Sequence, residues 1–345
     1  MSLLRVHAGG MLTTVQDQGR RRFQRFGVPV AGSLDPVAAR LANALVGNPP
    51  EAAVLEMRVL GPDLECVGSP LRLAVVGATI AGQIRRANGE VIALDADRSF
   101  TLAPGDRVAI GPLRGSTTAS LAVAGGVDVA PVMGSRSTFL RSGFGGLNGR
   151  ALAPGDAVPV GHASGPEGPE RGLDEPYETT CPDRIRVVLG PQDDHFTEGA
   201  IATLLGTEWR VSGQADRMGL RLDGQKLDHK NGHDIVSDGI VTGAIQVPGT
   251  GQPIVLLADR GTSGGYPKIA TVIGADLPAL GRVGPGAVFR FEAVTPAEGV
   301  AALRAASDAT ARAVAAIGVW HPPGMVDVDR LYDSDLISPP EDASS

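Results

Sequence analysis

The sequence predicts a mainly β protein with a few helices, built from short strands that are joined by many tight turns. Glycine and proline supply 47 and 26 of the 345 residues, and no Gly-X-Y period accounts for them. A glycine inside a helix costs about 1 kcal/mol relative to alanine, so a helical protein explains this composition poorly. Turns explain it better, because both residues fit the central positions of turns.

A repeated turn phrase supports the same fold class. Leu-Ala-Pro-Gly-Asp occupies residues 102–106 and returns at 152–156, and Gly-Pro-Gly at 284–286 is a looser third copy. In a type II turn, proline fits the first central position and glycine the second, where φ is positive. Each copy precedes a strand-like run, which is the spacing of a barrel or sandwich of short strands.

The elements of the first half follow in chain order. A short strand is predicted at 3–7. Asp35-Pro36 then favours a helix start, with Asp as N-cap and proline in the first turn, and the helix runs over 37–46. Beyond residue 53 short β-branched runs alternate with turns, which predicts strands at 71–76, 91–94, 107–110 and 120–123.

The second half repeats this pattern after a polar segment. Residues 162–183 hold few apolar side chains and many glycines, prolines and glutamates, as linkers do. Further strands are predicted at 185–189, 240–247, 253–258 and 287–292, with one helix ending near Leu205 and another over 296–317. The last twenty or so residues are polar and are expected to be loosely held. The predicted division is a domain at 1–161, a linker at 162–183, a domain at 184–295, and a helix and tail at 296–345.

Composition excludes several classes of protein. The net charge is −7, and the one basic cluster, Arg20, Arg21, Arg22 and Arg25, is too small for nucleic-acid binding. That cluster fits a small anion, a partner surface or a solvated loop. Cys66 and Cys181 do not make a disulfide framework. We find neither a signal-peptide pattern nor a run of 18 apolar residues, so we expect a cytoplasmic protein without a membrane span.

The stretch from 246 to 268 has the densest set of candidate functional residues. A buried strand is expected to deliver Asp259 and Arg260 to its end, and a glycine-rich loop then presents polar side chains. Glycine N–H groups can cradle an anion, and Lys268 can place a point charge on a phosphate or carboxylate. A structural turn with an internal Asp–Arg pair explains the same residues equally well. The candidates are Gln246, Asp259, Arg260, Thr262, Ser263, Gly264, Gly265, Tyr266 and Lys268.

Other motifs in the sequence are weaker. Residues 261–265 match G-x-S-x-G, but Tyr266-Pro267 interrupts the helix that a nucleophile elbow requires. Neither common nucleotide-binding fingerprint is present, so ATP would need a nonstandard loop. His229 and His233 have the spacing of a helical zinc pair, yet Asn-Gly between them marks a turn, and we expect no metal site. Residues 193–195 could transfer protons, although a capped helix start explains them as well.

Several motifs together resemble a KipA-like family that comprises allophanate hydrolase subunit 2 and the C subunit of 5-oxoprolinase, and that contains biotin-dependent carboxyltransferase subdomains C and D. The matching motifs cover nearly the whole chain, from residue 3 to 292. They are Thr-Thr-Val-Gln-Asp at 13–17 with Gly19-Arg20, the segments 27–35, 190–196 and 216–219, and the stretch from 243 to 268.

The resemblance implies two cyclophilin-like β-barrel domains and a partner, the allophanate hydrolase subunit 1 (KipI-like) protein. It implies an ATP-coupled enzyme, with Mg²⁺, that opens the lactam 5-oxoproline to glutamate, in some cases with a third subunit. One alternative is the carboxyltransferase component of a urea carboxylase. This chain lacks a Met-Lys-Met signal, so it is expected to carry no covalently bound biotin. The other alternative is a regulatory, KipA-like antagonist of a kinase inhibitor.

Roles for the candidate residues follow from these matched motifs. Lys268 and the loop 261–265 are expected to contact phosphate or carboxylate. Asp259 is expected to orient Arg260, or to hold a proton or Mg²⁺. Gln16, Asp17 and Arg20 are expected to line the same cleft from the N-terminal domain. The expected catalytic set is Lys268, Asp259, Arg260 and Asp17, and the other candidates, Gln246 and Thr262 through Tyr266 among them, are expected to bind substrate or nucleotide.

Overall fold

The computed structural model describes residues 2–162 and 167–321. This part of the chain is mainly β with four α-helices, which confirms the predicted fold class. Strands of the first half are β1 (Leu3–Ala8), β2 (Thr14–Gln16), β3 (Val54–Arg58), β4 (Asp63–Val67), β5 (Leu71–Val76), β6 (Thr79–Ile80), β7 (Gly82–Arg85), β8 (Val91–Leu94), β9 (Arg98–Leu102), β10 (Arg107–Ala109), β11 (Leu113–Arg114), β12 (Thr118–Val123), β13 (Ala157–Pro159) and β14 (Arg171–Gly172).

The second half continues this numbering. Its strands are β15 (Arg184–Leu189), β16 (Trp209–Ala215), β17 (Gly219–Asp223), β18 (Asp238–Gly239), β19 (Ala244–Gln246), β20 (Ile254–Leu256), β21 (Ser263–Gly264), β22 (Lys268–Val272), β23 (Val288–Ala293) and β24 (Gly318–Val319). The helices are α1 (Pro36–Leu45), α2 (Glu198–Gly206), α3 (Leu277–Arg282) and α4 (Pro296–Ala315). Three short 3₁₀ turns lie at Gln24–Phe26, Leu140–Ser142 and Asp193–His195.

Two large sheets form the first half. One has the order β13-β1-β4-β10-β7-β8 and the other β2-β3-β12-β5-β9-β14-β24, and their buried side chains share one core. All six residues of β5 are buried. Because successive side chains of a strand point to opposite faces, Leu73 and Val75 enter this core while Ala74 and Val76 face α1. The seven-stranded sheet is therefore covered on both faces.

Helix α1 begins where the sequence predicted. The Asp35 carboxylate accepts hydrogen bonds from the N–H groups of Val37 and Ala38 at 3.2 and 3.0 Å, and Pro36 occupies the first turn. The repeated turn phrase is confirmed as well, since Gly105 and Gly155 both have φ of 88°. An alanine at either position would be strained in this left-handed conformation.

The second half forms a closed barrel with the order β15-β22-β19-β20-β17-β16-β23. Strands β15 and β23 close it in parallel, and the other neighbouring pairs are antiparallel. Trp209 lies fully buried in its core and donates a hydrogen bond from Nε1 to the Leu204 carbonyl at 2.9 Å. Leu34, from the segment before α1, also packs into this core, so the first half reaches into the barrel.

The end of the described chain returns to the first half. A capping box at Thr295 and Glu298 starts α4, and Ala313, Val314 and Ile317 pack near its end against the core around α1. Strand β24 pairs with β14, which pairs with β9. The segment that the sequence predicts as a linker therefore contains a strand of the seven-stranded sheet. The predicted loosely held tail lies largely outside the described residues.

Two predicted elements differ in extent from the structure. The strand expected at 240–247 is limited to Ala244–Gln246, because the Ile240 N–H bonds the Thr262 carbonyl instead of continuing the barrel. The glycine-rich segment expected as an irregular loop includes β21, which pairs with β18. Across residues 2–162 and 167–321, no helix is both long and apolar enough to traverse a bilayer. In the same residues, no group of three His, Cys, Asp or Glu side chains is placed to hold a metal ion.

Candidate functional site

Lys268 is the first residue of β22 and is almost completely buried, with 1% of its surface exposed. Its Nζ lies 3.3 Å from Oδ2 of Asp238, a side chain that is 54% exposed, and it makes no hydrogen bond of good geometry. An ammonium group has three donors, so this contact leaves Lys268 poorly satisfied. Burial of a charge without full pairing is costly, and such groups are typical of binding sites.

Gln192 lies on the same side of the barrel. Its side-chain Oε1 accepts a hydrogen bond from the Lys268 N–H at 3.1 Å, and its Nε2 donates to Asp238 Oδ2 at 3.3 Å. The same Asp238 oxygen therefore lies within reach of both the ammonium of Lys268 and the amide of Gln192.

Arg260 is a second buried cation that is not fully paired. Only 3% of its surface is exposed, its Nε donates to the Ile240 carbonyl at 3.3 Å, and its Nη1 has no hydrogen-bond partner. Burial lowers the pKa of this guanidinium to about 10, so it stays protonated at neutral pH. Lys268 lies beside the Asp238 side chain and Arg260 donates to the Ile240 carbonyl, so both buried cations border the segment 238–240. Both are candidates for binding an anion.

Part of the glycine-rich loop pairs with residues 238–239 in a small two-stranded sheet. Strand β21 pairs with β18 so that Ser263 faces Gly239 and Gly264 faces Asp238. A Cβ at Gly264 would lie 2.6 Å from Nε2 of Gln246 and 2.8 Å from Cδ1 of Ile240. Because residue 264 is glycine, the Gln246 side chain can lie directly against β21. Thr262, Gly265 and Tyr266 complete the loop, and Tyr266 is 40% exposed.

The loop does not have the backbone of an anion-binding nest. Such a nest alternates right- and left-handed residues, and none of Gly261, Gly264 and Gly265 has a positive φ. The expectation that glycine N–H groups cradle a phosphate is therefore not met in this conformation. The donors that remain are side chains.

Asp259 does not orient Arg260, which corrects the expected role. Its carboxylate binds Arg217 in a bidentate manner, with Oδ2 2.9 Å from Nε and Oδ1 3.0 Å from Nη2. Arg217 also pairs with Glu56 of β3, and its Nη2 donates to the Gly32 carbonyl at 2.7 Å. Burial alone would lower the pKa of Arg217, but Glu56 and Asp259 outweigh it and raise that pKa. This buried network joins the two halves of the chain.

Gln16, Asp17 and Arg20 form a second structural cluster. Asp17 accepts hydrogen bonds from the hydroxyls of Ser135 and Ser137 at 2.6 and 2.5 Å, and from two backbone N–H groups. Arg20 lies over the Phe144 ring at 4.8 Å and donates to the Ser137 carbonyl.

The side chains of Asp17 and Arg20 both bind the loop around residues 132–147, and Gln16 donates a hydrogen bond to the Thr138 carbonyl of that loop at 3.2 Å. Burial lowers the pKa of Arg20, and Asp17 and Asp259 partly offset this effect. Within the described chain, no hydrogen bond or ion pair connects this cluster to Lys268 or Arg260.

A groove of about 570 Å³ lies between the halves but away from the buried cations. Its walls come from the segment before α1, from α1, from the turn before α3 and from α4. Asp17 lines one end, and Lys268, Arg260 and Gln246 are not among its lining residues. The groove therefore does not unite the two sets of predicted site residues.

The weaker motifs of the sequence have structural roles in the barrel. His229 stacks on Phe196 with ring centroids 4.9 Å apart, and its Nε2 lies 3.0 Å from the Val247 carbonyl oxygen. The His233 ring centroid is 6.2 Å from that of His229. Ser263 lies in a strand that is followed by another strand, so the nucleophile elbow is excluded.

Four residues of these networks were not predicted: Gln192, Asp238, Arg217 and Glu56. Gln192 and Arg217 lie in segments that carried the family resemblance, which was the only available signal for them. Asp238 and Glu56 lie in no motif. Their partners are 30 and 161 residues away in the chain, and only the fold brings them together.

The fold and the site define a protein with a closed β-barrel, a two-sheet half joined to it by buried ion pairs, and two buried, underpaired cations beside the strand pair β18–β21. A family model described as carboxyltransferase domain, subdomain A and B, matches residues 26–293. The chain belongs to this family. The family description carries the letters A and B, where the resemblance led us to expect C and D.

Individual relatives agree with this assignment. The chain is 36% identical over 291 residues to the C subunit of 5-oxoprolinase from Escherichia coli, which covers 84% of this chain and 90% of the relative. It is 32% identical to urea amidolyase of Lachancea kluyveri, covering 83% of this chain and 16% of that protein. The crystal structure of TTHA0988 matches with a TM-score of 0.74 at 34% identity, over 85% of this chain and 56% of that one.

Proposed function

We propose that this chain is one subunit of an ATP-dependent hydrolase that opens the cyclic amide 5-oxoproline to glutamate. The observation that carries the proposal is the match to the C subunit of the Escherichia coli 5-oxoprolinase, which extends over 84% of this chain and 90% of the relative. A match over nearly the full length of both chains favours a shared role over a shared module.

The site chemistry is compatible with this reaction. Transfer of a phosphoryl group from ATP to the amide oxygen releases ADP and makes the ring carbon electrophilic. Two water molecules then complete the conversion to the amino acid and phosphate. Every species on this route is an anion, and the charge that develops on oxygen needs fixed positive groups nearby. Lys268 and Arg260 are buried cations without full counter-charges, so they are suited to this role.

In this proposal the active enzyme contains a second chain of the subunit 1 (KipI-like) class, and in some assemblies a third subunit. Two similarities support a partner. The E. coli relative is itself named as a subunit. This chain also spans 56% of TTHA0988, so that longer polypeptide contains a substantial part with no counterpart here. We propose that a separate partner supplies such a part and contributes to binding ATP and Mg²⁺.

The test is to purify this chain with its partner subunits and to measure ADP release with and without 5-oxoproline. We expect ADP release that depends on 5-oxoproline. The Lys268→Met variant should lower kcat/KM at least about 100-fold, because a buried positive charge that binds the anionic substrate is lost. Lys226→Met is the matched control, since Lys226 is exposed. Unchanged turnover in Lys268→Met would remove Lys268 from the mechanism.

Carboxyl transfer is a second candidate, favoured by the 32% identity to urea amidolyase over 83% of this chain. In that case biotin would arrive on another protein. A complex that releases no ADP with 5-oxoproline but transfers a carboxyl group from carboxybiotin to urea would favour this alternative. The greater identity and the coverage of 90% of the E. coli relative favour the hydrolase.

A further inference from the structure

The carboxylate of Asp238 already lies beside Lys268. Its Oδ2 lies 3.3 Å from Nζ of Lys268 and 3.3 Å from Nε2 of Gln192. The Asp238 side chain is 54% exposed, whereas that of Lys268 is 2% exposed. A surface carboxylate thus points inward onto a buried ammonium group.

The pairing of Asp238 with Lys268 is weak by its geometry. A charge-assisted N–H···O hydrogen bond has a heavy-atom distance of about 2.7–2.9 Å, and this contact is longer and poorly aligned. Asp238 lies in β18, which pairs with β21 in a two-stranded sheet that is separate from the barrel. Each of these strands has only two residues. Displacing this carboxylate therefore sacrifices little, and an incoming anion can gain a better hydrogen bond.

The donors favour a carboxylate over a phosphate. None of the loop glycines Gly261, Gly264 and Gly265 has a positive φ, so this loop forms no backbone nest for a phosphate. The amide of Gln192 and the ammonium of Lys268 suit the two oxygens of a carboxylate. Arg260 then retains its free Nη1 for a further oxygen of the same molecule.

We infer that Lys268 and Gln192 form the binding site for a substrate carboxylate, and that Asp238 occupies this site until the substrate displaces it. This inference rests on the proposed function, since 5-oxoproline carries one carboxylate beside its amide. The Gly239 N–H, Lys268 and Gln192 all lower the pKa of Asp238, so the internal competitor is ionised at neutral pH. An internal competitor weakens apparent affinity in proportion to its occupancy.

The experiment measures binding by titration calorimetry on the full chain and on its complex with the partner subunits. The probes are 5-oxoproline, its carboxamide and inorganic phosphate. Asp238→Asn should tighten binding of 5-oxoproline about tenfold, because the competing charge is removed, and Lys268→Met should abolish it. Asp234→Asn is the matched control, since its side chain is 74% exposed, lies in the same segment and is paired with His233 instead. The carboxamide should bind at least about tenfold more weakly than 5-oxoproline.

Three results would overturn the inference: phosphate binding more tightly than 5-oxoproline, equal binding of the acid and its carboxamide, or weaker binding in Asp238→Asn. The two proposals fail in different ways. Carboxylate binding that responds to Asp238→Asn, without ADP release, would leave the site intact and remove the hydrolase. ADP release that depends on 5-oxoproline, with KM unchanged in Asp238→Asn, would leave the hydrolase intact and remove the role of Asp238.

Discussion

Buried arginines in this chain fall into two groups that differ in their partners. Arg217 is held by two carboxylates and a carbonyl, and these raise its pKa. Arg260 has one long bond to a carbonyl, and burial lowers its pKa to about 10. A fully paired buried charge is a structural element, whereas an underpaired one is free to bind a ligand. By this contrast Asp259 is part of the structural framework, whereas Arg260 is a candidate for binding a ligand.

The role of Asp259 can be tested by the Asp259→Ala variant. Removing this carboxylate leaves two donors of the buried Arg217 unpaired while Glu56 still balances its charge, so the free energy of unfolding should fall by roughly 1–3 kcal/mol. Urea unfolding measures this directly. Asp128→Ala is the control, because its pair with Arg136 is largely exposed and should contribute about 0–1 kcal/mol. Unchanged stability combined with lost turnover would restore Asp259 to the catalytic set.

Asp97 gives a pH-dependent prediction. Burial raises its pKa to about 6, although its Oδ2 accepts a hydrogen bond from the Tyr177 N–H. Between about pH 4 and pH 6 the folded chain therefore holds a proton that the unfolded chain has released. The free energy of unfolding should fall as pH rises through this window.

Asp97→Asn removes this titration, and asparagine tolerates the φ of 63° at this position. The variant should be more stable than the parent by roughly 1–3 kcal/mol above pH 6, and equal to it near pH 4. Thermal unfolding across this range measures the effect, with the exposed Asp95→Asn as control. A variant less stable at pH 7 would contradict this account.

The candidate site contains residues that the sequence could predict and residues that it could not. Lys268 and Arg260 lie in one dense motif, so the sequence alone was sufficient to select them as candidates. Asp238 and Gln192 complete the site through strand pairing and side-chain contacts over 30 and 76 residues, and neither spacing leaves a local signal. The sequence also could not show that Asp259 pairs with a residue other than Arg260, because Asp259 lies in a turn after β20 and its carboxylate binds Arg217, 42 residues away in the chain.

At the scale of elements, local rules predicted three of the four described helices and fewer than half of the described strands, and α3 was missed. The N-cap of α1, the turns at Gly105 and Gly155, and the alanine-rich α4 follow from nearby residues. The pairing of 238–239 with 263–264 was missed, because both strands have two residues and show no alternation of apolar and polar side chains. Non-local pairing alone creates it.

Alanine substitutions at Gly264 and at the nearby Gly261 test whether close side-chain packing against the strand pair β18–β21 matters for binding. Its Cβ would meet the ends of Gln246 and Ile240 at 2.6 and 2.8 Å, whereas a Cβ at Gly261 would meet only the Ser263 carbonyl oxygen at 3.4 Å. Neither glycine has a positive φ, so backbone strain does not distinguish them. Gly264→Ala should weaken binding of 5-oxoproline about tenfold with the fold retained, and Gly261→Ala should leave it unchanged. Equal effects of the two variants would show that side-chain approach at Gly264 is unimportant.

At the scale of the whole molecule, buried polar networks join the two halves. Glu56 reaches Arg217 and Asp259, and Asp35 reaches Arg282 at 2.9 Å with the Tyr177 hydroxyl between them. Each half has its own apolar core, and apolar contacts also cross between the halves, from Leu34 into the barrel core and from the end of α4 onto the core around α1. Coupling between the halves therefore depends on buried charged groups as well as on these apolar contacts.

This architecture predicts one calorimetric unfolding transition for the parent chain and two for the double variant Arg217→Met with Arg282→Met. Methionine leaves Glu56, Asp259 and Asp35 buried at the interface without their counter-charges, and each such loss costs several kcal/mol. Trp209 fluorescence, in a Trp320→Phe background, should follow the transition of the barrel alone. Arg290→Met is the control, because its pair with Glu208 is exposed and lies within the barrel. A single transition in the double variant, shifted only in Tm, would mean that apolar contacts around Leu34 couple the halves.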